Sequence, residues 1–143
     1  MNARTVSPVD DDALAASWHE VMGRYHRLTC ALDRALGSAH GLSSSEFDVL
    51  EQLYTHDEPK MKMATLAELV HLSQSALSRL VSRLEKDGLL ARNVCTTDRR
   101  AMWTSLTDAG RRRYEEARPT HRSTLRADVA VCTADAAFTC DGR

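Results

Sequence analysis

Nothing in this chain is apolar for long enough to cross a bilayer, which takes about 20 residues in a helix. The N-terminus does not offer the apolar core of a secretory signal, because Val9 is followed by Asp10, Asp11 and Asp12. The expected location is cytoplasmic, with no membrane partner. In that setting Cys30, Cys95, Cys132 and Cys140 are expected as thiols rather than as a disulfide framework. There is no Gly-rich phosphate loop, no Ser, His and Asp signature and no helix carrying paired metal ligands, so no enzyme and no cofactor are predicted. The six histidines form no H-x-x-x-H pair and no tight Cys/His cluster, so no metal site is assigned. Aromatic residues make up only 5% of the chain.

A strong positive charge is also lacking. The formal net charge of −1 does not suit a binder that holds polyanions by bulk charge alone. The distribution says more than the total. Residues 1–68 hold six Lys/Arg against eleven Asp/Glu, a balance of −5, and residues 69–143 hold thirteen against nine, a balance of +4. At 143 residues the chain is one domain by length, with enough material for a core.

The most telling absence is local. Leu77, Leu80, Val81 and Leu84 fall at i, i+3, i+4 and i+7, which predicts a helix with one buried stripe. Ser73 precedes it as a cap and Gly88 ends it. The opposite face carries Gln74, Ser75, Ser78, Arg79, Ser82 and Arg83, and no carboxylate occurs before Glu85 and Asp87. An ordinary solvated face would mix Lys and Glu. Small hydroxyls allow close approach to a surface, and Gln and Arg make bidentate bonds to adenine and guanine edges. A Ser-rich exterior with no partner is the competing explanation of this face taken alone.

The flanking segments favour the first explanation. Upstream, Thr65 and Glu68 have capping-box spacing ahead of Leu66, Ala67, Leu69 and Val70, and His71 to Ser73 make a turn. Downstream, Leu89–Cys95 and Met102–Leu106 read as two strands around a T-T-D-R-R tip. Helix, turn, helix and a hairpin with a basic tip make a winged helix-turn-helix. Its second helix suits the major groove and its wing the minor groove.

The segments L-A-E-L-V-H-L-S-Q-S-A-L-S-R-L-V-S-R-L-E-K-D-G-L-L, T-D-R-R-A and S-L-T-D-A-G resemble the MarR family of bacterial transcription regulators, over roughly Ala13 to Arg126. The D-R-R-A wing followed by L-T-x-A-G is the most specific part. The resemblance implies a mainly α fold with a small β-hairpin wing, flanked by N- and C-terminal dimerisation helices. It implies a homodimer on a pseudo-palindromic operator in double-stranded DNA. The usual role is a repressor released by a small aromatic effector, an oxidant or a metal. Alternatives are a winged-helix protein-interaction module or, within the family, a thiol or metal sensor.

The rest of the chain fits this layout. Residues 1–12 are expected as a flexible tail, with Asp11 or Asp12 capping the first helix. Residues 13–42 form an N-terminal dimerisation helix ending at Gly37 to Gly41. Its apolar positions Leu14, Trp18, Val21, Met22, Tyr25, Leu28, Leu32, Ala35 and Leu36 recur at helical spacing. Residues 43–106 form the DNA-binding region. A Ser43/Glu46 capping box opens its first helix, and a loop spans His56 to Lys62. Residues 107–143 hold shortened C-terminal dimerisation helices, the first begun by Thr107 and kinked or ended at Pro119. Val131 to Asp135 resembles the start of the family's last helix.

The predicted DNA-binding residues are Ser73, Gln74, Ser75, Ser78, Arg79, Ser82 and Arg83 on the helix and Asp98, Arg99 and Arg100 on the wing. Arg79 and Gln74 are the best base readers. The resemblance implies that one of Arg99 and Arg100 enters the minor groove while Asp98 orients the tip. Trp18, Tyr25 and Trp103 are candidates for an effector pocket, with plain core as the alternative. Cys30 is expected as a small buried apolar residue, and His40 with Cys30 is the one metal-ligand pairing considered. Arg111, Arg112 and Arg113 are expected to bridge Glu115 and Glu116 rather than to bind phosphate. Replacing Arg99 and Arg100 together with Ala is expected to flatten the salt dependence of DNA binding, because each neutralised phosphate releases counterions. An unchanged slope in a salt titration would reject that role for the wing.

Overall fold

The computed structural model describes residues 10–94 and 102–138, with side chains as far as Asp128 in the last helix. Among the described residues, five helices and three strands follow one another. Helix α1 spans Asp11–His40, α2 Ser44–Thr55, α3 Met63–Leu69, α4 Gln74–Lys86 and α5 Asp108–Phe138. Strands β1 Lys60–Lys62, β2 Leu90–Val94 and β3 Met102–Leu106 form one antiparallel sheet in the order β1-β3-β2. The protein is therefore mainly α with a small wing sheet. No described helix is long and apolar enough to cross a membrane.

Local chemistry explains most boundaries. Asp10 caps α1 by accepting from the Asp12 amide, one residue earlier than predicted, so Asp11 and Asp12 lie in the first turn. There they favour the positive end of the helix dipole. The helix continues through Gly37 and closes at Gly41, whose φ of 66° is left-handed. Ser43 and Glu46 form the predicted capping box of α2. The predicted Thr65 cap does not form. Helix α3 begins at Met63 after Lys62, which makes no side-chain cap, and Thr65 lies inside the first turn. The reason is β1: Met61 is buried and paired with Thr104, so the sheet delivers the chain into α3 three residues early. The expected His56–Lys62 loop thus contains a short edge strand.

Pro119 does not end α5, which runs unbroken for 31 residues, so Val131 to Asp135 lies within it rather than opening another helix. Proline removes one helical hydrogen bond. Packing on both sides of it keeps the helix whole, with Tyr114 and Ala117 buried before it and His121 after it. Gly110 matters here too: a Cβ would lie 2.1 Å from the Leu89 carbonyl oxygen, so only glycine lets α5 approach the start of the wing.

The core joins both ends of the chain. Leu32 and Leu36 of α1 pack with Phe47, Val49, Leu50 and Leu53 of α2, Leu66 and Ala67 of α3, and Leu77, Val81 and Leu84 of α4. Arg113 donates to the His40 carbonyl at 2.9 Å, satisfying the end of α1. Arg111 lies over the Tyr54 ring at 5.0 Å, and the Tyr54 hydroxyl donates to Glu115. Arg113 and Arg111 thus engage a helix end and a ring, and among the described residues the expected bridges to Glu115 and Glu116 do not form.

A polar joint seals α2 to α5. The Glu51 carboxylate accepts from Tyr114 at 2.9 Å and from Arg122. Burial pushes Glu51 up, but the bonds from Arg122 and Tyr114 outweigh it and hold the carboxyl below its usual range. His121 stacks on Phe47 with ring centroids 4.2 Å apart, and its Nδ1 lies 2.5 Å from Arg122 Nη1. A ring nitrogen facing a guanidinium must accept, so the imidazole is neutral. Burial, then Arg122, lower its pKa from 6.5. The unfolded chain therefore takes a proton first as pH falls past 6.5, and stability drops with it. Urea midpoints are expected to fall from neutral pH to pH of about 5.5, and His121→Phe, which keeps the ring stack, is expected to flatten that profile. Equal slopes in the two proteins would show that His121 is not the group responsible.

Candidate nucleic-acid interface

Helix α4 is oriented by its buried stripe. Leu77, Val81 and Leu84 are fully buried and Leu80 packs against the same core. Burial of three such side chains contributes several kcal/mol, at about 1.5–3 kcal/mol each. It also fixes the helix rotation and turns the opposite face outward. The turn before α4 is built for this. Leu72 N donates to the Ala67 carbonyl and His71 N to that of Glu68, with His71 left-handed at φ 56°. This double bond closes α3 as a Schellman motif, with histidine where glycine is usual. Ser73 then accepts from the Ala76 amide at 3.2 Å and starts α4.

The predicted face divides into two parts. Ser73, Gln74, Ser75 and Arg79, toward the N-terminal end, are exposed. Among the described residues, Arg79 has no carboxylate within ion-pair distance. The C-terminal part is already engaged. Ser82 donates to the Ser78 carbonyl at 2.9 Å. Arg83 pairs with Glu46 at 3.2 Å, its own side chain 65% exposed and that of Glu46 4%. Glu46 thus serves two elements, since its other oxygen accepts from Ser43 N in the α2 capping box. The carboxylate that α4 lacks in sequence reaches Arg83 from α2.

Arg92, on β2, is a residue that sequence reasoning missed. Its Nη2 donates to the Ser78 carbonyl at 2.8 Å and to Ser82 Oγ at 2.7 Å, while Nε faces Glu85 at 3.1 Å. The Glu85 carboxylate also accepts from the Arg92 amide. One guanidinium therefore ties the wing to the middle of α4. The signal in the sequence was a lone arginine at an inward-facing strand position, which the hairpin reading treated as part of a strand and no more. The hairpin itself is as expected, with Leu90–Val94 paired to Met102–Leu106. Its tip, including Cys95, Asp98, Arg99 and Arg100, lies outside the described residues.

The pocket candidates are not alike. Trp18 and Tyr25 are 61% and 67% exposed on the outer half of α1. Trp103 belongs to the wing sheet, where Lys60 and Lys62 place their ammonium groups 5.2 and 5.4 Å from its ring centroid. Cys30 is exposed rather than buried, because it lies on a side of α1 turned from the core. Its near neighbour is His26, with Sγ 3.7 Å from Nε2. His40 instead contacts Thr120 Oγ1 at 2.8 Å. The His40/Cys30 pairing does not form. Among the described residues no group of three or more His, Cys, Asp and Glu side chains could hold a metal ion.

Replacing Arg92 with Ala removes three polar contacts between β2 and α4. A loss of roughly 1–3 kcal/mol in stability is expected, with faster amide exchange in β2 than in α2. Uniform exchange across both elements would show that Arg92 does not clamp the wing.

Residues 42–102 match the MarR family model. The chain is 36% identical over 76 residues to the HTH-type transcriptional repressor MdtR of Bacillus subtilis, a match covering 53% of this chain and 48% of that one. It spans about half the length of several of the curated relatives it matches. Among solved structures it superposes on Sco3205, a MarR family transcriptional regulator from Streptomyces coelicolor in complex with DNA. There the TM-score is 0.76 and the identity 27%, over 85% of this chain and 76% of that one. AbsC, a MarR family regulator from the same organism, gives a TM-score of 0.73 at 25% identity over 92% of both chains. With the capped α3–turn–α4 unit and the wing strands already in place, the chain is similar to MarR family regulators over residues 42–102 in sequence and over most of its length in fold.

Proposed function

We propose that this protein is a sequence-specific DNA-binding transcription regulator, acting as a homodimer that represses from a pseudo-palindromic operator. The observation that carries this reading is the N-terminal half of α4. Gln74, Ser75 and Arg79 stand exposed on a helix whose rotation the core fixes. Arg79 in particular has no carboxylate partner among the described residues. Gln74 and Arg79 are the base readers of this proposal, and Ser73 and Ser75 contact phosphate. Arg83, through Glu46, and Ser82, through Arg92, tie α4 to neighbouring elements. Phosphate contacts fix register and base contacts carry the sequence information.

Dimerisation is supported by α1. Leu14, Trp18, Val21, Met22 and Tyr25 are exposed along its outer half, an apolar patch that the described residues of one chain leave uncovered. Pairing through these residues would set two α4 helices about 34 Å apart, one turn of DNA. We assign an aromatic effector to the neighbourhood of Trp18 and Tyr25. Trp103 is removed from that site, because its ring is covered on the sheet by two lysines.

The test is recovery of genomic fragments bound by the purified protein, followed by binding of the recovered sequence to Arg79→Ala. Specific binding is expected to weaken by about 1–3 kcal/mol, with binding to unrelated duplex weakened less. Recovery of no enriched sequence, or an unchanged sequence preference in the variant, would overturn the proposal.

A further inference from the structure

The wing sheet has a second face that no part of the site above uses. Pleating assigns its residues. Met61 pairs with Thr104 and both are buried, so this pair points into the protein. The neighbouring pairs, Lys62 with Trp103 and Lys60 with Ser105, therefore point outward. On the other side of β3, Asn93 pairs with Trp103 and donates to Ser105 Oγ at 3.3 Å. Among the described residues the outer face thus presents two lysines, an indole, an amide and a hydroxyl, and no carboxylate.

Three features make this more than a polar exterior. Both ammonium groups lie over the same Trp103 ring, at 5.2 and 5.4 Å, so their flexible stems are gathered before anything binds. Neither has a carboxylate within ion-pair distance among the described residues, whereas Arg83 and Arg92 each face one. The patch also lies toward the proper end of the wing. Lys62 is opposite the second residue of β3, where the strand has just left the tip, and it immediately precedes α3, the first helix of the helix-turn-helix.

We propose that Lys60 and Lys62 form a second phosphate-binding patch that continues the wing's contact along the sugar-phosphate backbone of double-stranded DNA, with Trp103 as the positioning residue for both. The proposal rests on the DNA-binding reading above. The indole holds the two cations without neutralising them. Each lysine then displaces condensed counterions from a phosphate while losing less side-chain freedom than a solvated lysine would. The patch adds affinity at any sequence and no base preference.

A random-sequence duplex is the probe, because phosphate contacts do not depend on sequence. Binding of wild type, Lys60→Gln/Lys62→Gln and Trp103→Leu is titrated between about 0.05 and 0.2 M salt. The double lysine variant is expected to lose about 1.8 from the slope of log K against log salt for each protomer engaged, about 0.9 for each phosphate. Trp103→Leu is expected to keep the wild-type slope and bind severalfold more weakly. Arg118→Gln/Arg126→Gln removes the same charge from α5 and controls for net charge; its slope is expected to match wild type. A wild-type slope in the lysine variant, with DNA bound normally, overturns this inference alone. A slope lost equally in the α5 control overturns it as well, by making the effect one of net charge. Absence of salt-dependent binding by the wild-type protein overturns the DNA-binding reading and this patch with it. The lysines are exposed, so the decisive variant does not depend on a core change being tolerated.

Discussion

Burial of Leu77, Val81 and Leu84 governs what α4 can present. A helix is a cylinder, and only the side that must leave water decides which side remains in it. With three residues fully buried at helical spacing, rotation of α4 by even one position would expose a leucine and bury Arg79 or Ser75. The penalty for an unpaired buried guanidinium exceeds anything the surrounding contacts could return. The outward face of Gln74, Ser75 and Arg79 is thus a consequence of core packing, and its chemistry depends on a constraint applied from the opposite side. Arg92 extends the same constraint to the sheet. By bonding the Ser78 carbonyl and the Ser82 hydroxyl, it gives β2 a fixed place against α4, so helix and wing behave as parts of one surface.

The near-neutral total charge conceals a sorting of cations into two populations. Arg83 and Arg92 each face a glutamate on a neighbouring element or turn, Arg122 is bonded to Glu51, and Arg113 satisfies a helix carbonyl. These guanidinium groups hold elements together, and their planar forks suit the task. Arg79, Lys60 and Lys62 have no carboxylate partner among the described residues and stand on outward faces. Glu46 shows how the sorting works: one oxygen caps α2 and the other neutralises Arg83. A local excess of positive charge follows from where the carboxylates are occupied, and the total says little about it.

Elements whose signals are local were legible in the sequence. The Ser43/Glu46 box, the Ser73 cap, Gly88 and the Leu77–Leu84 stripe act within a few residues of themselves, and each lies where periodicity and capping place it. The misjudged features depend on distant partners. Thr65 had the right spacing for a cap, but Met61 paired with Thr104 more than forty residues away, and the strand overrode it. Pro119 should have broken a helix standing alone; α2 packed along both sides of it and the helix continued. The ion pair of Arg83 was not legible either, because its partner, Glu46, belongs to another helix. Arg92 looked like an ordinary strand residue because the groups it bonds are a carbonyl and a hydroxyl on α4. Cys30 looked buried because a small residue in a helix usually is, and which side of α1 faces the core follows only from where α2 and α5 lie.

The two halves of α1 have different physical standing, and this separates folding from assembly. Leu32 and Leu36 lock the C-terminal half into the core, and Gly41 and Arg113 close its end. The outer half carries large apolar side chains exposed to water, and a 3.9 Å contact of Arg24 with Asp128 is among its ties to α5. Isolated helices of fewer than about 12–15 residues are marginal in water, so tertiary packing usually supplies their stability. Covering Leu14, Trp18 and Val21 would add to the stability of the outer half. A second copy of α1 is suited to do so, because an apolar stripe is complementary to itself under a twofold axis. Pairing would then be an event that stabilises a helix the single chain already forms. A ligand lodged beside Trp18 and Tyr25 would act on that event first, and on the separation of the two α4 helices through it.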